Sequence, residues 1–204
     1  MRLIAVWLML ALMTLSGCAG PNAAGSLRVQ CLGRDPVSLA TRFKSAFFSH
    51  DVVAGTSFML SDVSIDKLLD GTADTGLVMH IELLWLPKPG RTPLEPTATN
   101  ASIRLIVIAD GEVGVYGGAG FAMPNGNPAE EKNVSLALRD ASLQLLESTP
   151  GFHDLLSPAH VTGSVTSKRN EAETRKLNLA ASQLVTNAMK QTRFVRTHRE
   201  AASG

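Results

Sequence analysis

The sequence predicts an α+β fold: a mainly antiparallel sheet of about five to seven strands, with an N-terminal and a C-terminal helix packed on it. Three observations predict this. Leu77, Met79, Ile81, Leu83 and Trp85 alternate with Val78, His80, Glu82, Leu84 and Leu86, the period-2 pattern of a strand whose two faces are both covered. Asp110-Gly111 separates the apolar runs 103–109 and 113–116, and Asp-Gly supplies the positive φ angles of a tight hairpin turn. Two stretches carry helix-opening signals, Asp35-Pro36 and Asn170 with Glu173 three residues on; these are an N-cap followed by Pro at N1, and a capping box.

Taken in order, Ala19 to Leu27 is rich in Gly, Pro, Asn, Ala and Ser and reads as part of a flexible tether over 18–30. Leu39, Phe43 and Phe47 fall at i, i+4 and i+8 after Pro36, so a helix is expected to about Ser49. Thr56 to Leu60 reads as a short strand, and Ser64 to Leu69 as a helical turn ended by Gly71. Pro87, Pro89, Pro93 and Pro96 then define a long loop, the best contact surface visible in the sequence, with Arg91 as a candidate binding residue. Beyond the Asp110-Gly111 hairpin, Val134, Leu136 and Leu138 alternate, and the alternation resumes on the other parity at Ala141, Leu143 and Leu145. This is expected of a strand bulged at Arg139-Asp140, although a helix also fits. His160 to Thr166 reads as a polar edge strand, and the Asn170 helix presents Leu177, Ala180, Ala181, Leu184 and Ala188 along one stripe. The single globular domain is placed at 31–195, followed by a basic tail over 196–204.

The start of the chain carries the most specific signal. Met1-Arg2 precedes an unbroken apolar run, Leu3 to Met13, too short to span a bilayer and of the length of a signal-peptide core. Leu15-Ser16-Gly17-Cys18 follows. This stretch resembles the lipobox of bacterial lipoproteins. The resemblance covers residues 1–18 only; it implies cleavage after Gly17, diacylglycerol on the Cys18 sulfur and acylation of the new amino terminus. Three chains exceed the two that stable anchoring needs. Ala19, rather than Asp, at the next position points to the outer membrane, with the domain facing the periplasm. The alternative is an ordinary secretory signal cleaved nearby.

Without residues 1–17, 187 of the 204 residues remain, enough for one domain with a real core. Arg2 leaves with the signal, so 18 basic residues balance 18 acidic ones, which argues against a nucleic-acid partner. Cys31 is then the one remaining unlipidated cysteine, either a buried thiol, the commoner case for a lone cysteine, or an intermolecular bridge.

Signals for chemistry are weak. His80 and Glu82 point the same way from a strand, a spacing that can seat metal ligands or an acid/base pair, with His153 or His160 as a third ligand. The bland alternative, a polar pair facing a helix or solvent, is favoured. His50-Asp51 and His153-Asp154 are adjacent pairs of a kind common on loops, and Gly114 to Gly120 lacks the phosphate-loop pattern and suits a bulge. The expectation is a non-enzymatic, cofactor-free envelope lipoprotein with an accessory role, held by its anchor and presented to an envelope protein. A carrier of a small apolar ligand is the alternative, and a metal-dependent hydrolase ranks behind it.

Overall fold

Strand alternation, carried far enough around, closes this sheet on itself. The computed structural model describes residues 24–33, 37–53, 55–87 and 98–190. Its strands are β1 (Ala24–Cys31), β2 (Ser38–Thr41), β3 (Ser45–Asp51), β4 (Gly55–Ser61), β5 (Gly76–Leu83), β6 (Ala101–Ala109), β7 (Glu112–Asn125), β8 (Asn133–Ser148) and β9 (Ala159–Arg169). Its helices are α1 (Ile65–Leu69) and α2 (Glu171–Met189). The order β2-β1-β9-β3-β4-β5-β6-β7-β8, with β8 also paired to β9, makes β3 to β9 a closed seven-stranded barrel. All pairings are antiparallel except β3 with β9, which are parallel at Phe47↔Lys168 and Phe48↔Arg169. β1 lies along the remaining edge of β9 and carries β2 outside it.

This corrects the expected architecture of a sheet of about five to seven strands with an N-terminal and a C-terminal helix packed on it. The stretch read as an N-terminal helix is β2 and β3; its Asp35-Pro36 opening lies outside the described residues. The spacing 39, 43, 47 has one parity, so it fits a strand as well as a helix. In the fold Ala46 and Phe48 are buried inside and Phe47 is half-buried on the other face. Four serines and threonines, Ser38, Thr41, Ser45 and Ser49, weaken the helical alternative further. The polar strand expected at an edge, β9, is the seam: β1 and β3 take one side of it and β8 the other. Strand β1 also begins at Ala24, within the stretch read as tether.

Other expectations match the structure. Asp110 and Gly111 have φ of 51° and 77° and join β6 to β7. Residues 133–148 form a strand whose register against β9 shifts between Leu138 and Ala141. Asn170 caps α2, its side chain accepting the Glu173 N–H at 3.2 Å. Cys31 is a buried free thiol.

Two apolar cores follow from the alternation. The inner one fills the barrel with Phe48, Phe58, Leu60, Met79, Ile81, Ile103, Leu105, Tyr116, Leu136 and Val161, among others. Phe48 and Phe58 stack inside it at 5.4 Å. Barrels of this strand number have an interior just wide enough for side chains. The outer core lies between the barrel wall and the helices, where Met59, Val78, Ile106 and Val115 meet Leu177, Ala181, Leu184 and Val185 of α2 and Leu68 of α1. The described residues thus form one layered unit, with α2 covering one part of the wall.

Candidate functional site

On β5 the odd residues Leu77, Met79, Ile81 and Leu83 enter the barrel, so Val78, His80 and Glu82 face outward. Val78 lies in the outer core beneath the helices. His80 is the next outward residue, level with Met59 on β4 and Arg104 on β6. Glu82 follows between Ser57 and Ser102. Ser57 Oγ lies 2.8 Å from His80 Nε2, and the two share a hydrogen bond. His80 is 7 % exposed, while Glu82 is half-buried. Burial disfavours the imidazolium, and the Arg104 guanidinium beside it adds to this, so the His80 pKa falls from 6.5 to about 4.

A neutral imidazole bonded to a serine has the outline of a nucleophile and its base. A base this weak takes up little proton at neutral pH, and a catalytic base works best with a pKa near the working pH. The His80–Ser57 arrangement has the properties of a satisfied polar pair at the edge of an apolar core. His160 faces outward from β9, across the barrel from β5, and His153 sits in the loop between β8 and β9. Neither joins His80 and Glu82, and among the described residues no group of three His, Cys, Asp or Glu could hold a metal ion. Arg91 and Cys18 lie outside the described residues.

The two His-Asp pairs part company. His50-Asp51 is at the β3–β4 turn, where His50 Nδ1 bonds Thr56 Oγ1 at 2.8 Å. His153-Asp154 is at the opposite end of the barrel. There Asp154 Oδ1 accepts the Tyr116 hydroxyl at 2.8 Å and the Leu156 and Ser157 N–H groups at 3.0 Å. Tyr116 is 1 % exposed and packs edge-to-face on Phe152. Burial, then Asp154, pushes the Tyr116 hydroxyl far above its usual range. Burial alone would raise the Asp154 carboxyl, but the bonds it accepts from Tyr116, Ser157 and Leu156 hold it below the usual range. This loop therefore closes one end of the barrel.

Comparison with protein-family models, curated proteins and solved structures finds no match.

The glycine-rich stretch is part of β7. A Cβ on Gly118 would collide with the Ser142 carbonyl of β8, and register shifts flank it between Val115 and Tyr116 and between Ala119 and Phe121. These glycines let β7 and β8 approach closely at bulges. A polar residue that sequence reading missed is Asn100. It is fully buried, donates to the Ala122 carbonyl at 2.7 Å and accepts the Ala122 N–H at 2.7 Å. Its side chain thus stands in for a strand residue opposite the Phe121 bulge. A surface cleft of about 350 Å³ lies beside α1, lined by Lys44, Asp62, Lys67 and Asp74 among others.

Proposed function

We propose that this protein is a lipid-anchored envelope lipoprotein with a non-catalytic accessory role, its domain presented in the periplasm to a protein partner. The observation that carries the reading is Leu15-Ser16-Gly17-Cys18 placed directly after a short apolar run. Two features of the domain support it. The inward side chains of the barrel are spent on packing, which favours a rigid scaffold over a ligand carrier. The end of the barrel away from Ala24 offers exposed Leu32 and Leu155 and the cleft beside α1, surfaces on which a partner protein can dock.

The test is crosslinking and co-purification from intact cells, with native Cys18 and with Cys18→Ala. One envelope protein recovered in near-stoichiometric amount, and reduced without the anchor, is the expected result. Recovery of the lipoprotein alone in both samples contradicts the accessory role.

A further inference from the structure

The strand registers place four features at one end of the barrel. The β3–β4 hairpin turns there, since Asp51 pairs with Gly55. Thr56↔Leu83, Leu83↔Ala101 and Ala101↔Gly120 carry the same level across β5, β6 and β7. Strand β9 runs parallel to β3 and β1 runs antiparallel to β9, so the chain enters β1 from this end, at Ala24↔Thr166.

This end is apolar at its tip. Val52 and Val53 are each 95 % exposed. Asp51 Oδ1 accepts the Val53 N–H at 2.8 Å. Leu84, Trp85 and Met123 flank them with a third to a half of their surface exposed. Trp85 packs edge-to-face on Phe121 and donates its indole N–H to the Thr99 carbonyl. An apolar ring with a polar edge suits the boundary between lipid and water.

The tether has the matching length. Thr166 to Lys168 is two residues and Phe47 to Asp51 is four, so the hairpin tip stands about 20 Å past the level of Ala24 along the strands. From Cys18 to Ala24 is six residues, at most about 20 Å of extended chain. A lipidated Cys18 in the bilayer therefore brings this end to the surface just where the valines project.

We infer that Val52, Val53 and Trp85 dock this end of the barrel on the lipid bilayer, so that the domain sits with a defined orientation and the α1 cleft pointing away. The inference rests on the lipid anchor proposed above. An apolar tip of two valines adds to acyl anchoring without replacing it.

Trp85 supplies the probe, being the one tryptophan that remains after residues 1–17 are removed. The mature lipidated protein is reconstituted in vesicles of phosphatidylethanolamine and phosphatidylglycerol, with plain or brominated acyl chains. Expected are a shift of Trp85 emission to shorter wavelength and quenching by the brominated lipid. Both are largely lost in the Val52→Asp/Val53→Asp variant, whose exposed positions leave the circular dichroism spectrum unchanged. The mass of the Cys18 peptide is read on the same samples. A lipidated chain whose Trp85 is not quenched overturns the docking and leaves the anchor standing; a chain without lipid overturns the anchor reading. Quenching that survives the double substitution overturns the role of the valines. A photocrosslinker at position 53 that captures a protein in cells instead of lipid overturns the bilayer as the occupant.

Discussion

Acidification tests the reading of His80 most sharply. The buried imidazole, bonded to Ser57 and beside Arg104, has a pKa of about 4 in the folded protein against 6.5 when unperturbed. Between those values the unfolded chain binds a proton that the folded chain refuses. Stability from this group is therefore complete above about pH 6.5 and falls as the pH drops toward 4, below which the loss levels off. The difference corresponds to about 3 kcal/mol in full, of which about 2.5 kcal/mol is gone by about pH 4.5. Carboxylates in general begin to titrate in the same range, so the wild type alone does not isolate the effect. His80→Gln does, since glutamine can bond Ser57 and carries no titrating proton. Urea unfolding of both proteins, followed from about pH 7.5 to about pH 4.5, should show the wild type losing about 2.5 kcal/mol more than the variant. Parallel curves would refute the reasoning and would mean that His80 is reached by water.

Two further outcomes follow from buried polar contacts. Asn100→Ala strips the Ala122 N–H and carbonyl of their partner and should cost about 2–5 kcal/mol, seen as a lower urea midpoint at unchanged slope; a cost under about 0.5 kcal/mol would show that water reaches the bulge. Tyr116→Phe removes one bond to Asp154 and should cost about 1 kcal/mol, whereas Asp154→Ala also frees the Leu156 and Ser157 N–H groups and should cost more. Thermal unfolding checks that ranking, and the reverse order would contradict the barrel-closing role of Asp154.

The legible parts of the fold were those fixed by neighbouring residues. Asp110-Gly111 announces its turn through the φ angles it permits, Asn170 and Glu173 announce the start of α2, and the parity change across Arg139-Asp140 announces a bulge. Barrel closure was not legible, because it depends on register between distant segments. With Thr162, Ser164 and Thr166 alternating with Val161, Gly163 and Val165, β9 has the polar alternation of an edge strand, and only its pairing to β1, β3 and β8 shows it to be a seam. Leu39, Phe43 and Phe47 fit both periods, and tertiary pairing decided between them. At the candidate site the sequence shows that His80 and Glu82 share a face. It does not show that the partner of His80 is Ser57, 23 residues away, nor that Tyr116 meets Asp154 across 38.

The lipid anchor is tested most directly by the mass of the amino-terminal peptide of the protein purified from its native membrane. A peptide beginning at Cys18 and heavier by a diacylglycerol and an amide-linked acyl chain is the predicted result. A Cys18 of unmodified mass, or a mature chain that begins elsewhere, would contradict it.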